Sequence, residues 1–117
     1  NVFDGTVKGG KLYIGQDAVL DVPGVADQEV HVGIRPEGFE IDPNGRLHCK
    51  LNNVEVMGRD VSVVCTNEAS QNPVVRAIVN ADNKIDVTNA TITYSLKPHK
   101  VFIFDKETEE RIRFEVN

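Results

Sequence analysis

Val30-His31-Val32-Gly33-Ile34-Arg35-Pro36-Glu37 is the stretch that decides the fold. Val30, Val32 and Ile34 share one parity and His31, Gly33 and Arg35 the other, the period-two pattern of a strand with one buried face. Pro36 has no N–H to give a ladder, so the strand ends there or lies on an edge. Pro36 also holds Arg35 in an extended conformation. An Arg and a Glu are thus set on either side of a fixed ring.

The same grammar runs outward in both directions. Lys11 to Gly15 and Ala18 to Val22 read as a hairpin around Gln16-Asp17, ended by Pro23-Gly24. Asp42-Pro43-Asn44-Gly45 reads as a sharp turn in which Asn and Gly take positive φ. Arg46 to Met57 is a long alternating strand, with Leu47, Cys49 and Leu51 on one side. Val54 and Val56 resume on the other parity, which predicts a bulge at Asn52-Asn53. Gly58-Arg59-Asp60 turns the chain, Val61 to Cys65 returns antiparallel, and Thr66 to Asn72 is a polar loop.

Pro73 to Val79 is apolar on both parities, which predicts a central strand. Ala81 to Lys84 reads as a turn and Ile85 to Ala90 as irregular. Thr91 to Leu96 alternates cleanly, Lys97-Pro98-His99 breaks it, and Lys100 to Phe104 is apolar on both parities. Lys106 to Glu110 turns, and Arg111 to Val116 closes a hairpin. With no amphipathic helical period, many short strands imply a barrel or sandwich.

At 117 residues the chain is one domain's worth, with a thin core rich in Val and Ile. Eighteen acidic against thirteen basic residues give a net charge of −5, which does not attract a phosphate backbone. Phe102 and Phe104 share a parity, and in so acidic a chain they read as core residues rather than as a nucleic-acid platform. Cys49 and Cys65 alternate with apolar neighbours and read as small core hydrophobes in a reduced setting. His31, His48 and His99 are far apart and lack metal-ligand spacing. Ser62, Ser70 and Ser95 stand outside any nucleophile motif. Gly9-Gly10-Lys11 is the nearest approach to a phosphate loop, but Leu12 replaces the hydroxyl residue and a strand follows. No apolar run approaches the roughly 20 residues of a membrane helix.

Gly33-Ile34-Arg35-Pro36-Glu37 resembles the Gly-Ile/Val-Arg-Pro-Glu signature of the C-terminal regulatory domain of ABC importer ATPases, a domain type called TOBE. Asn1-Val2-Phe3-Asp4-Gly5 is similar to the family's Asn-Phe-x-x-Gly segment. Val56-Met57-Gly58 resembles its hydrophobic-Leu-Gly step, and Val101 to Asp105, ending in Phe104-Asp105 with Arg111 beyond, resembles its closing strand. The resemblance spans nearly the whole chain. It implies an all-β, OB-like barrel over residues 1–117, excised from a longer ATPase subunit whose nucleotide domain lies N-terminal. ATP and Mg²⁺ would then sit in that other domain, with no catalytic, cofactor or metal site here. It further implies a cytoplasmic, non-catalytic regulatory and dimerisation module at the inner membrane face. The parent would be bound to permease subunits, and sugars or related solutes would be the cargo. A regulatory protein or the solute itself is a further partner it implies; nucleic acid is not.

The same resemblance makes Gly33, Ile34, Arg35, Pro36, Glu37, Gly58, Phe104 and Asp105 the signature and candidate interface. For Arg35 and Glu37 two readings stand: a surface ion pair beside a strand end, or a clamp at an interface, for which a guanidinium fork is suited. The alternative function is a small-ligand sensor for an oxyanion or sugar, with a pocket lined by Arg35, His31 or nearby amides. Two departures from the family pattern bear on the site. Gly38 follows Arg-Pro-Glu where His or Asp is common, removing a side chain that would reach a partner. Glu109 stands where the closing turn often has Gly, and Glu tolerates positive φ poorly, so a different turn geometry is expected. The chain also starts late, which predicts a missing first strand and an exposed sheet edge.

Overall fold

The computed structural model describes residues 1–80, 85, 88 and 90–114. The alternating stretch around Val32 becomes β4, Gln28–Ile34, inside a six-stranded antiparallel sheet. Its neighbours are β1, Val2–Lys8, and β10, Val101–Asp105. Outside them lie β2 (Lys11–Ile14) and β3 (Asp17–Asp21) on one flank and the two-residue β11 (Arg111–Ile112) on the other. Val30, Val32 and Ile34 are buried, as the period-two reading requires.

β1 pairs with both β2 and β4, so the sheet's free edges are β3 and β11. Asn1 ties this strand to the rest of the molecule: its side-chain amide donates to the carbonyls of Ile34 and Arg76, and its Oδ1 accepts from the Arg76 amide.

The second sheet has the order β5-β9-β6-β7-β8, with β5 Phe39–Ile41, β6 Leu47–Met57, β7 Asp60–Thr66, β8 Val75–Asn80 and β9 Thr91–Leu96. The register of β6 against β7 shifts between Leu51 and Asn53, the expected bulge. β9 alternates as read, with Ile92, Tyr94 and Leu96 buried. The sheet curls until its outer strands β5 and β8 lie against each other, giving the nearly closed, OB-like barrel form. Two 3-10 turns, Pro36–Gly38 and Pro98–Lys100, complete the described elements, and no helix among the described residues is long and apolar enough to cross a membrane.

Three sequence expectations are corrected. β8 is an edge strand with only Val75, Ala77 and Val79 inward. β7 is the strand buried on both faces, and its Ser62 hydroxyl takes a hydrogen bond from Arg76. The apolar content of residues 73–79 did not reveal which strand has two neighbours, because that is set by non-local pairing. The turn at Asp42 to Gly45 does not use positive φ. Asp42 builds it instead, accepting from the Asn44 amide at 2.9 Å while its carbonyl takes the Gly45 amide. Gly45 is needed for space: a Cβ there would lie 2.4 Å from the Tyr94 carbonyl carbon. Finally, β11 is shorter than the strand expected from Arg111 to Val116, whose last two positions lie outside the described residues. The turn read at 81–84 and most of the irregular stretch 85–90 lie outside them too.

The inner faces of the two sheets share one core. Tyr94 meets Phe39 edge-on at 5.1 Å and its hydroxyl lies 3.5 Å from the Cys65 sulfur. Burial holds the Tyr94 hydroxyl protonated. Cys49 and Cys65 are both free and buried, consistent with small core hydrophobes. Contact with the Cys65 thiol, and then burial, push the Cys49 thiol far above its ordinary range.

Candidate functional site

The signature turn is bolted into the fold by backbone bonds. Arg35 is extended (φ −66°, ψ 148°), as a residue before proline should be. Its amide donates to the Lys100 carbonyl at 3.2 Å, and its carbonyl accepts from the Gly38 amide at 2.8 Å. The Gly38 carbonyl in turn accepts from the Lys97 amide at 2.8 Å. The two 3-10 turns are therefore stitched to each other where the sheets meet. Gly38 is buried at this seam, and a Cβ on it would come within 2.8 Å of the Lys100 Cβ and 3.2 Å of the Ile34 Cγ2. Its missing side chain is a packing requirement.

Arg35 and Glu37 part company. Glu37 faces Lys100 at 3.9 Å, a half-exposed pair worth at most about 1 kcal/mol before solvent screening. The Arg35 guanidinium instead lies over the Phe102 ring, 5.5 Å from its centroid. Arg111, brought alongside by the pairing of β11 with β10, lies over the same ring at 4.7 Å. Phe102 and Phe104 are thus not core residues. Val101 and Ile103 take the inner parity of β10 and the two rings stand half-buried on the outer face. Alternation cannot choose between two apolar parities; the core goes to the one that faces the second sheet.

Gly33 pairs with Val2 on one side and Phe102 on the other, and lacks a side chain between them. The result is an open groove of about 390 Å³ lined by Val2, Phe102 and Phe104, with Arg35 beside them and the Ile34 side chain turned into the core. His31 is not part of its lining. It stands opposite Phe104 in the register and meets Asp4 at 3.7 Å.

Phe104 and Asp105 divide the work at the end of β10. Asp105 Oδ1 accepts from the amides of Thr108 and Glu107 at 2.9 and 2.8 Å, which holds its carboxyl below the ordinary aspartate range. Its main chain bonds Glu109 and Glu110 as well. The carboxylate therefore builds the closing turn rather than a ligand site. Glu109 adopts φ 60°, the left-handed region that Glu tolerates poorly.

Gly58, the remaining signature residue, sits elsewhere. It opens the β6–β7 turn with φ 70°, and beside it Val56 and Met57 are 77% and 50% exposed. The structure thus splits the expected set into a cationic, aromatic groove and an apolar hairpin tip. Sequence reading missed Phe102 as a surface residue; its one signal was the shared parity of Phe102 with Gly33 and Arg35 once β10 is paired to β4.

A larger cleft of about 530 Å³ lies between the Gly15-Gln16 turn and the loop after β7. Three of its polar residues are engaged with one another: Asp17 accepts from the His48 amide at 3.0 Å and meets its ring at 3.2 Å, and Asn67 donates to the His48 carbonyl. Among the described residues no three potential metal ligands cluster. Gly9-Gly10 is a hairpin turn between β1 and β2, with a strand where a phosphate loop would need a helix.

An OB-like β module with a proline-fixed turn sewn across its sheet junction is the class these features define. The TOBE domain model matches residues 32–104 and the model of the CysA C-terminal regulatory domain matches residues 1–41, the two overlapping on the signature turn. The chain belongs to the TOBE domain family. It is a TOBE-type C-terminal domain of an ABC ATP-binding subunit. A search of curated proteins found no match.

Proposed function

We propose that this chain is the non-catalytic regulatory and dimerisation domain of the ATP-binding subunit of an ABC importer for sugars or related solutes. The observation that carries the reading is the family match across residues 32–104, which takes in the signature turn, the hairpin tip at Gly58 and the Phe102 strand. ATP and Mg²⁺ would be handled by a nucleotide domain N-terminal to Asn1, with the subunit held by permease partners at the cytoplasmic face of the membrane. The domain's own work is mechanical. It keeps two subunits at high effective concentration while their nucleotide domains separate and close.

The hairpin tip supports the dimer part of this reading. Val56 and Met57 are adjacent, exposed apolar side chains at the end of β6, and burying them against a second copy would remove apolar surface from water. The groove beside Arg35 carries charge at its wall and is a less natural place for two identical surfaces to meet. Deleting this domain from the intact subunit tests the whole proposal. Assembly with the permease or its inhibition by regulator or solute should fall while nucleotide binding persists. Unchanged assembly together with unchanged inhibition would refute it.

A further inference from the structure

We propose that the outer face of the first sheet around Phe102 docks an acidic segment of a partner protein, one that carries carboxylates on both sides of an apolar residue. The inference is independent of dimerisation.

Two guanidiniums lie within 6 Å of one ring, and neither makes an ion pair or hydrogen bond among the described residues. Two positive charges gathered at one ring raise the local potential, which an anion bound there would offset. The chain is at −5 overall, yet no acidic side chain among the described residues forms an ion pair with either guanidinium. Glu37 is turned to Lys100, Asp105 to the backbone of its turn, and Asp4 to His31 and the Gln71 side chain. The positive stretch continues past Arg111, which lines a shallow depression with His99 and Arg113. Lying over the Phe102 ring, the guanidiniums keep N–H donors available for carboxylates. Between the charges runs an apolar floor of Val2, Phe102 and Phe104, which suits a Leu or Phe side chain.

Other occupants fit less well. A second copy joined about a two-fold axis would set this cationic face against itself. A free oxyanion would sit on an open, wet surface where exposed charge pairs are weak. A nucleic acid base needs a bare ring, and Phe102 already carries two guanidiniums.

The test uses the chain as it stands and a fluorescent, end-blocked peptide with glutamates flanking a pair of leucines. Anisotropy titration should show binding that weakens as salt rises. Amide NMR shifts should concentrate at Arg35, Phe102 and Arg111. Arg35→Gln and Arg111→Gln, both at exposed positions and checked for unchanged Tm, should together weaken binding by about tenfold or more. The Gln-for-Glu peptide should not bind. Absence of binding at millimolar peptide, equal affinity for the variants, or displacement by equimolar inorganic sulfate would overturn the proposal. Tighter binding of a short single-stranded RNA, or a self-associated mass that falls in the two Arg variants, would overturn it as well.

Discussion

Glu109→Gly should stabilise the fold. Glu109 is exposed and sits at φ 60°, the one non-glycine residue with positive φ among those described. An L residue in that region costs about 1–2 kcal/mol through the clash of its Cβ with the following carbonyl. Glycine removes that cost but adds about 0.5–1 kcal/mol of unfolded-chain entropy. The net gain is about 0.5–1 kcal/mol, or a Tm rise of about 2–5 °C for a domain of this size. The turn's bonds are main-chain or come from Asp105 and Thr108, so the substitution leaves them in place. Thermal unfolding and urea titration measure the gain. Glu109→Ala is the control, since it removes the same charge but keeps the Cβ. A Gly variant no more stable than the Ala variant would refute the strain argument.

The glycines of the signature region should behave oppositely. Gly38→Ala should cost about 1–3 kcal/mol, because its Cβ would press on Lys100 and Ile34. Gly33→Ala, whose Cβ meets nothing closer than 3.7 Å, should cost less than about 1 kcal/mol, and urea titration of both separates the two. Asp105→Asn should flatten the acid limb of the stability profile. The folded carboxyl titrates below its unfolded value, so its contribution is present above the ordinary aspartate range and lost as pH falls through the lowered one. Wild type and variant should converge at the most acid pH, and parallel acid limbs would contradict the role given to the carboxylate.

What was legible in the sequence was whatever depends on neighbours a few positions away. β4 and β9 show themselves by alternation, the bulge at Asn52-Asn53 by a change of parity, and Pro36 and Pro98 by their lost donors. β5 escaped because three residues carry too little pattern. The edge position of β8 and the outward turn of Phe102 escaped because each depends on which strand lies alongside, a matter of pairing across long stretches of chain. Gly45 shows the same limit. Its type was read as conformational freedom, whereas the constraint is the Tyr94 backbone across the sheet. Of the site, the motif residues were visible but their roles were not. Gly38 packs, Asp105 caps, and Arg35 finds an aromatic ring instead of Glu37.

Molar mass by light scattering across a dilution series, for the wild type and for Val56→Glu, tests the dimerisation claim most directly. Val56 is 77% exposed, so a charge there spares the core. The account predicts a wild-type mass that falls from dimer toward the 12.9 kDa monomer on dilution, and a monomer at every concentration for the variant. A wild type that is monomeric throughout, or a dimer that Val56→Glu leaves intact, would contradict it.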